Sequence, residues 1–103
     1  MQAETKFKIS FVKELKKIPK SWWVKTQQVA LRGTPDILGC VNGQFIALEL
    51  KVDSKLTRLQ EINLNDIGAS GGVALEVRPS DQDSVLQRLR MIAGDEVKKQ
   101  PHP

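Results

Sequence analysis

Apolar residues at the start of the chain recur with helical spacing: Phe7, Phe11, Leu15 and Ile18 fall on one stripe between about Glu4 and Ile18, lysines fill the other face, and Pro19 ends the run. Trp22, Trp23 and Val24 then read as a strand, and a polar connection through Gln27 and Gln28 leads to Arg32 and Gly33. Next comes a hairpin. Ile37, Leu38, Cys40 and Val41 precede Asn42-Gly43, the pair a two-residue type I′ turn demands, and Phe45, Ile46, Leu48, Leu50 and Val52 follow it. The pattern then turns helical, with Thr57 as N-cap, Leu59, Ile62, Leu64 and Ile67 as apolar positions, and Gly68 or Gly71-Gly72 as the stop. Val73 to Val77 is a further strand, and Pro79-Ser80 opens a last helix with Val85, Leu86, Leu89 and Ile92 inward and Gly94 near its end.

The predicted order is αβββαβα. A strand, helix and strand in succession imply a right-handed crossover, so the fourth strand should run parallel to the third within a mixed four-stranded α/β sheet flanked by helices. At 103 residues the chain fits one domain. No internal repeat is present, and a polar tail over 98–103, with Pro101 and Pro103, is expected to be disordered.

The hairpin turn fixes a register. With Asn42-Gly43 as the loop, Val41 opposes Gln44, and counting outward sets Asp36 opposite Glu49. Residues opposed in this way share a face with Cβ atoms about 4.5–5.5 Å apart, where like charges are destabilising. A divalent cation between the carboxylates removes that repulsion, and Mg²⁺ characteristically takes one or two carboxylates, waters and substrate phosphate. Ala47, Glu49 and Lys51 share one face of the strand, whereas Ile46, Leu48, Leu50 and Val52 share the core-facing one. Lys51 therefore stands beside the acidic pair, where an ammonium can steer a water nucleophile or stabilise charge building on a phosphoryl oxygen. The blander reading makes Asp36 a turn residue after Pro35 and leaves Glu49 and Lys51 solvated on an exposed strand. The joint register of the two acids favours the functional reading.

Composition narrows the chemistry. The single cysteine, Cys40, forms no internal disulfide or cysteine zinc site, and the only histidine, His102, lies between two prolines, so Cys/His catalysis and structural zinc are excluded. A divalent ion acidifies water that it coordinates, so hydrolysis needs no histidine. The net charge is +4, all of it accounted for by the first twenty residues, with six lysines and two glutamates. That asymmetry points to a polyanionic partner, although a lysine-rich helix is more often only a solvated face. Arg32, Lys25 and the first helix's lysines, among them Lys6 and Lys13, are the candidate phosphate contacts, giving salt-dependent and sequence-independent binding. Of Trp22 and Trp23, alternation turns one to the core and leaves the other to stack on a base or meet a partner. No run approaches the roughly 20 apolar residues of a membrane span and no signal peptide is evident, so a cytoplasmic protein is expected.

Gly33-Thr34-Pro35-Asp36, followed thirteen residues after the aspartate by Glu49-Leu50-Lys51, resembles the PD-(D/E)XK nuclease signature. The surroundings, from Glu4 to the strand near Val77, with Arg32-Gly33 before the motif and Leu56-Thr57 to Gln60 after it, resemble a standalone VRR-NUC domain of phage or bacterial type, here spanning 1–97. The resemblance implies a restriction-endonuclease-like αβββαβ core plus a C-terminal helix. It implies Asp36, Glu49 and the Leu50 backbone carbonyl as metal ligands and Lys51 as the catalytic lysine. In similar nucleases a glutamine on the second helix assists catalysis, the place Gln60 holds, but Thr57-x-x-Gln60 is also a capping box. Glu4 and Glu14 both fall near the inward stripe of the first helix, about 15 Å apart by helical rise, so only one can reach a given ion, and the family pattern favours Glu4.

The expectation is a Mg²⁺- or Mn²⁺-dependent DNA endonuclease acting on branched or otherwise structured DNA, like a Holliday-junction resolvase, and a homodimer, since symmetric cutting needs two sites. The alternative is a non-catalytic nucleic-acid-binding module with a vestigial nuclease fold. An RNA substrate is not distinguished from DNA.

Overall fold

The computed structural model describes residues 2–26 and 31–94. The tail over 98–103 and the Gln27–Gln28 connection lie outside the described residues. The first helix, α1, spans Ala3–Leu15 and buries Phe7, Phe11 and Leu15, which recur one turn apart on a single stripe. It stops three residues before the expected Ile18. Residues preceding a proline avoid the helical region, and here the Ile18 amide closes a tighter turn onto the Leu15 carbonyl while its side chain stays in the core.

Four strands follow in spatial order β1 (Ser21–Lys25), β2 (Ile37–Val41), β3 (Gln44–Leu50) and β4 (Val73–Val77). β1–β2 and β2–β3 are antiparallel, and β4 joins β3 in parallel after the crossover helix α2 (Arg58–Ala69), as the element order requires. The β2–β3 register is the one the turn dictates, with Val41 opposite Gln44. Both turn residues sit at positive φ, Asn42 at 49° and Gly43 at 84°, the conformation of a type I′ turn. β3 ends at Leu50, two residues before the expected Val52, although the Lys51 amide still donates to the Val77 carbonyl. Pro79–Asp81 forms one 3₁₀ turn before the last helix, α3 (Gln82–Ile92).

The sheet is covered unequally. On one face Ile37, Val41, Ile46, Leu48, Leu50 and Val77 pack with Phe7, Phe11 and Leu15 of α1 and Val85, Leu86 and Leu89 of α3 in the single main core. On the other, α2 crosses β3 and β4, burying Ala47 and Glu49 as well, so β3 is enclosed on both sides. That second face remains open at β1, where Trp22 is 65% exposed, and at the turn end of β3, where Phe45 is 45% exposed, whereas Trp23, on the core face, packs against the core. Gly39 makes room for it, since a Cβ there would lie 2.3 Å from the Trp23 ring. Among the described residues no helix is long and apolar enough to cross a membrane.

Candidate active site

A cleft of about 580 Å³ opens where β2 begins and β3 ends. Its lining brings together Glu4 and Lys8 from α1, Arg32 to Thr34 and Asp36 from the segment before β2, Glu49 from β3 and Lys51 just past its end, and Thr57 and Gln60 at the start of α2. Asp36 lies one residue outside the β2–β3 ladder, which begins at Ile37–Leu48. Its backbone is fixed from the β1 side: the Thr26 amide donates to the Asp36 carbonyl at 2.9 Å, and the Thr26 hydroxyl donates to the Pro35 carbonyl at 2.8 Å. The carboxylate is thereby turned onto β3. Its Oδ2 accepts from the Leu50 amide at 2.9 Å, standing in for the next rung of the ladder, and its Oδ1 accepts from Lys8 Nζ at 3.3 Å.

Glu49 rises from the adjoining position of β3 into the same cleft, with only 4% of its side chain exposed. Its Oε2 accepts from Gln60 Nε2 at 3.1 Å and lies 3.9 Å from Lys51 Nζ. Its Oε1 is buried with no hydrogen-bond partner among the described residues. Burial pushes the carboxyl up to about 7, and the charge of Asp36 adds to the rise against the opposing pull of Lys51. The two acids thus share a face and repel.

Gln60 caps its helix and touches Glu49 at once. Its Oε1 accepts from the Thr57 amide at 2.8 Å while the Thr57 hydroxyl accepts from the Gln60 amide, completing the capping box, and the same carboxamide's nitrogen is the group that reaches Glu49. The loop before this helix is held by Arg78, whose guanidinium donates to the carbonyls of Val52 and Ser54 and pairs with Glu76. On the opposite wall Gly33, at φ 79°, lies so close to α2 that a Cβ would sit 2.7 Å from Leu59 Cγ and 2.9 Å from Asn63 Nδ2.

The remaining candidates divide. Glu4 lines the cleft and pairs with Lys8 at 3.3 Å, whereas Glu14 pairs with Lys17 outside it. Arg32 is exposed at the cleft wall, while Lys6, Lys13 and Lys25 are exposed on surfaces away from its lining. From the sequence Lys8 is one of the first helix's lysines, solvated or phosphate-facing, with no contact to the acids expected of it. Its signal was the four-residue spacing from Glu4, which sets both on one helix face. The ammonium is part-buried, a burden on its charge, yet the attraction of Asp36 and hydrogen bonds to Glu4 and Asp36 outweigh that and hold its pKa above the usual lysine value.

As a cation site the donor set is limited and oxygen-only. Among the described residues no three or more histidine, cysteine or acidic side chains gather as a metal cage. What is present is two carboxylates, one with an unpartnered buried oxygen, and the Leu50 carbonyl, which in extended backbone points to the same side of β3 as the amide that Asp36 caps. This set fits Mg²⁺ or Mn²⁺, hard cations that take one or two carboxylates and leave other positions for water and phosphate. No family model, curated protein or solved structure matches the chain.

Proposed function

We propose that this chain is a Mg²⁺- or Mn²⁺-dependent DNA endonuclease with a restriction-endonuclease-like core, of the VRR-NUC type within the PD-(D/E)XK nucleases. The observation that carries the reading is the pair of carboxylates, Asp36 and Glu49, held in one cleft with Glu49 Oε1 buried and without a partner among the described residues. An acid with a bare oxygen, repelled by a second acid, is stabilised by a cation shared between them.

Asp36, Glu49 and the Leu50 carbonyl would hold the ion, with Glu4 at the rim. When bound, the cation supplies positive charge to a phosphoryl oxygen and acidifies a coordinated water. The other tasks fall to the chain. Lys51, 3.9 Å from Glu49 Oε2 and almost buried, presents a fixed ammonium to the negative charge that grows on the phosphoryl group in the transition state. Gln60 keeps the Glu49 carboxylate in one orientation, because its own amide is anchored at the cap of α2. Arg32 at the wall, with Lys6, Lys13 and Lys25 beyond it, would bind the phosphate backbone without reading bases. Structured DNA such as a four-way junction is the proposed substrate, and a homodimer the proposed form, because paired cuts need paired sites.

The test is incubation of the purified protein with supercoiled plasmid and a synthetic four-way junction in Mg²⁺, Mn²⁺ or EDTA, with RNA versions of the junction in parallel. Metal-dependent cleavage that disappears in Asp36→Ala is the expected result. Binding without cleavage under either metal would instead establish a non-catalytic binding module.

A further inference from the structure

Lys8 takes no part in the reading above, yet it is the side chain that touches Asp36 Oδ1. It reaches the cleft from the opposite layer: α1 packs on the core face of the sheet through Phe7 and Phe11, and Lys8 extends past the sheet's end to the acidic pair. Its ammonium is 3.3 Å from both Asp36 Oδ1 and Glu4 Oε2. We propose that Lys8 is a built-in counter-ion that competes with the divalent cation for Asp36 and, once displaced, is kept at the cleft rim by Glu4 as a contact for the substrate's phosphate backbone. The inference rests on the reading of Asp36 and Glu49 as cation ligands.

The charges explain why such a device is useful. Without a cation, Asp36 and Glu49 face each other with Lys51 directed at Glu49 and, among the described residues, only the Lys8 ammonium at Asp36. Lys8 therefore lets the cleft keep its shape before a cation arrives. A divalent ion brings twice the charge to the same oxygens, so the lysine yields. Its flexible stem and the pairing with Glu4, one helical turn away, keep the ammonium from leaving the cleft mouth. There it lines the open cleft that a phosphodiester would enter.

The experiment measures Mn²⁺ binding by calorimetry, without nucleic acid, for the unaltered protein, Lys8→Met and Asp36→Asn. Removing a competitor tightens binding, so Lys8→Met should bind Mn²⁺ about fivefold more tightly, the scale of one partly exposed ion pair. A lysine that only supported the fold would leave that affinity unchanged or weaken it, and either outcome overturns the proposal. A second measurement follows the salt dependence of four-way-junction binding in Mn²⁺, in a Lys51→Met background that keeps the strands whole. Adding Lys8→Met should lower the slope of log affinity against log salt by about one phosphate contact. An unchanged slope overturns the proposal as well. Loss of Mn²⁺ binding in Asp36→Asn alongside an unchanged Lys8→Met removes Lys8 alone from the account. Mn²⁺ affinity that neither substitution alters removes the cation site itself.

Discussion

The Asp36 carboxylate accepts a hydrogen bond from the Leu50 amide at 2.9 Å, one step past the point where the backbone ladder between their strands stops. A side chain thus completes the sheet and simultaneously bears half of the acidic pair. The two roles respond differently to substitution. Asp36→Asn keeps an acceptor for Leu50 but removes the charge beside Glu49, so fold stability should change little while metal-dependent cleavage falls at least about 100-fold. The same change should lower the Glu49 pKa, because the charge of Asp36 is one of the causes that raise it. Carboxyl titration followed by NMR checks this, and a Glu49 value that does not move would show that burial alone sets it.

Glu49 itself ties stability to pH. Its folded-state value of about 7 lies above the ordinary 4.5, so between these values the native protein holds more protons than the unfolded chain. Stability therefore falls as pH rises through this window, by an upper bound of roughly 3 kcal/mol, and stays low above it. The metal-free protein should melt at a lower temperature at pH 8 than at pH 5 by this contribution, and Glu49→Gln should flatten the dependence. Glu49→Gln should also be the more stable protein at pH 8, by about 1–3 kcal/mol, while being inactive, because it removes a buried charge and leaves a neutral amide. Cation binding has the opposite slope. In the proposed cation site Glu49 must lose its proton to act as a ligand, so Mn²⁺ affinity should drop about tenfold per pH unit below 7.

The hairpin that sets this pair was legible in the sequence for a physical reason. Side-chain direction has period two in a strand, and Asn42-Gly43 admits one loop length, so the register and the shared face of Asp36 and Glu49 follow from counting. Lys51 follows from the same alternation. Element ends were less legible: α1 closes at Leu15 because the tight turn at Ile18 competes with one more helical turn, a balance that apolar spacing does not report. Contacts between layers were not legible at all. Lys8 reaches Asp36 across 28 residues of chain, and Thr26 fixes Asp36 through a β1–β2 pairing that no tight turn announces. For Gln60 the sequence offered capping or catalysis as rivals, because a motif names the residue and not its two separate amide atoms.

Those two atoms can be tested apart. Gln60→Glu preserves an acceptor for the Thr57 amide, so the capping box and the start of α2 should survive. It also places a third carboxylate against Glu49 and removes the donor that orients it. Cleavage should fall with little loss of helix stability. Gln60→Ala removes both functions and should in addition cost about 0.5–2 kcal/mol in denaturant unfolding. Equal stability loss in both variants would mean that the contact to Glu49, rather than the cap, is what the fold depends on.

Gly33 connects the signature segment to the helix that carries Gln60. Its φ of 79° is strained for any side chain, and a Cβ would press on Leu59 and Asn63 of α2 at under 3 Å. Gly33→Ala should therefore push α2 away from the cleft wall, weakening the Gln60–Glu49 contact along with the fold, with a cost of about 1–3 kcal/mol. Gly39→Ala serves as the comparison. Its added methyl would strike the Trp23 ring and the Trp22 carbonyl at the middle of β2, on the sheet's core face, so a similar or larger stability loss is expected without any direct effect on α2. Cleavage is then measured at a temperature and denaturant concentration where both variants remain folded. Gly33→Ala should be the slower enzyme, and equal rates would show that the approach of Gly33 to Leu59 serves packing alone.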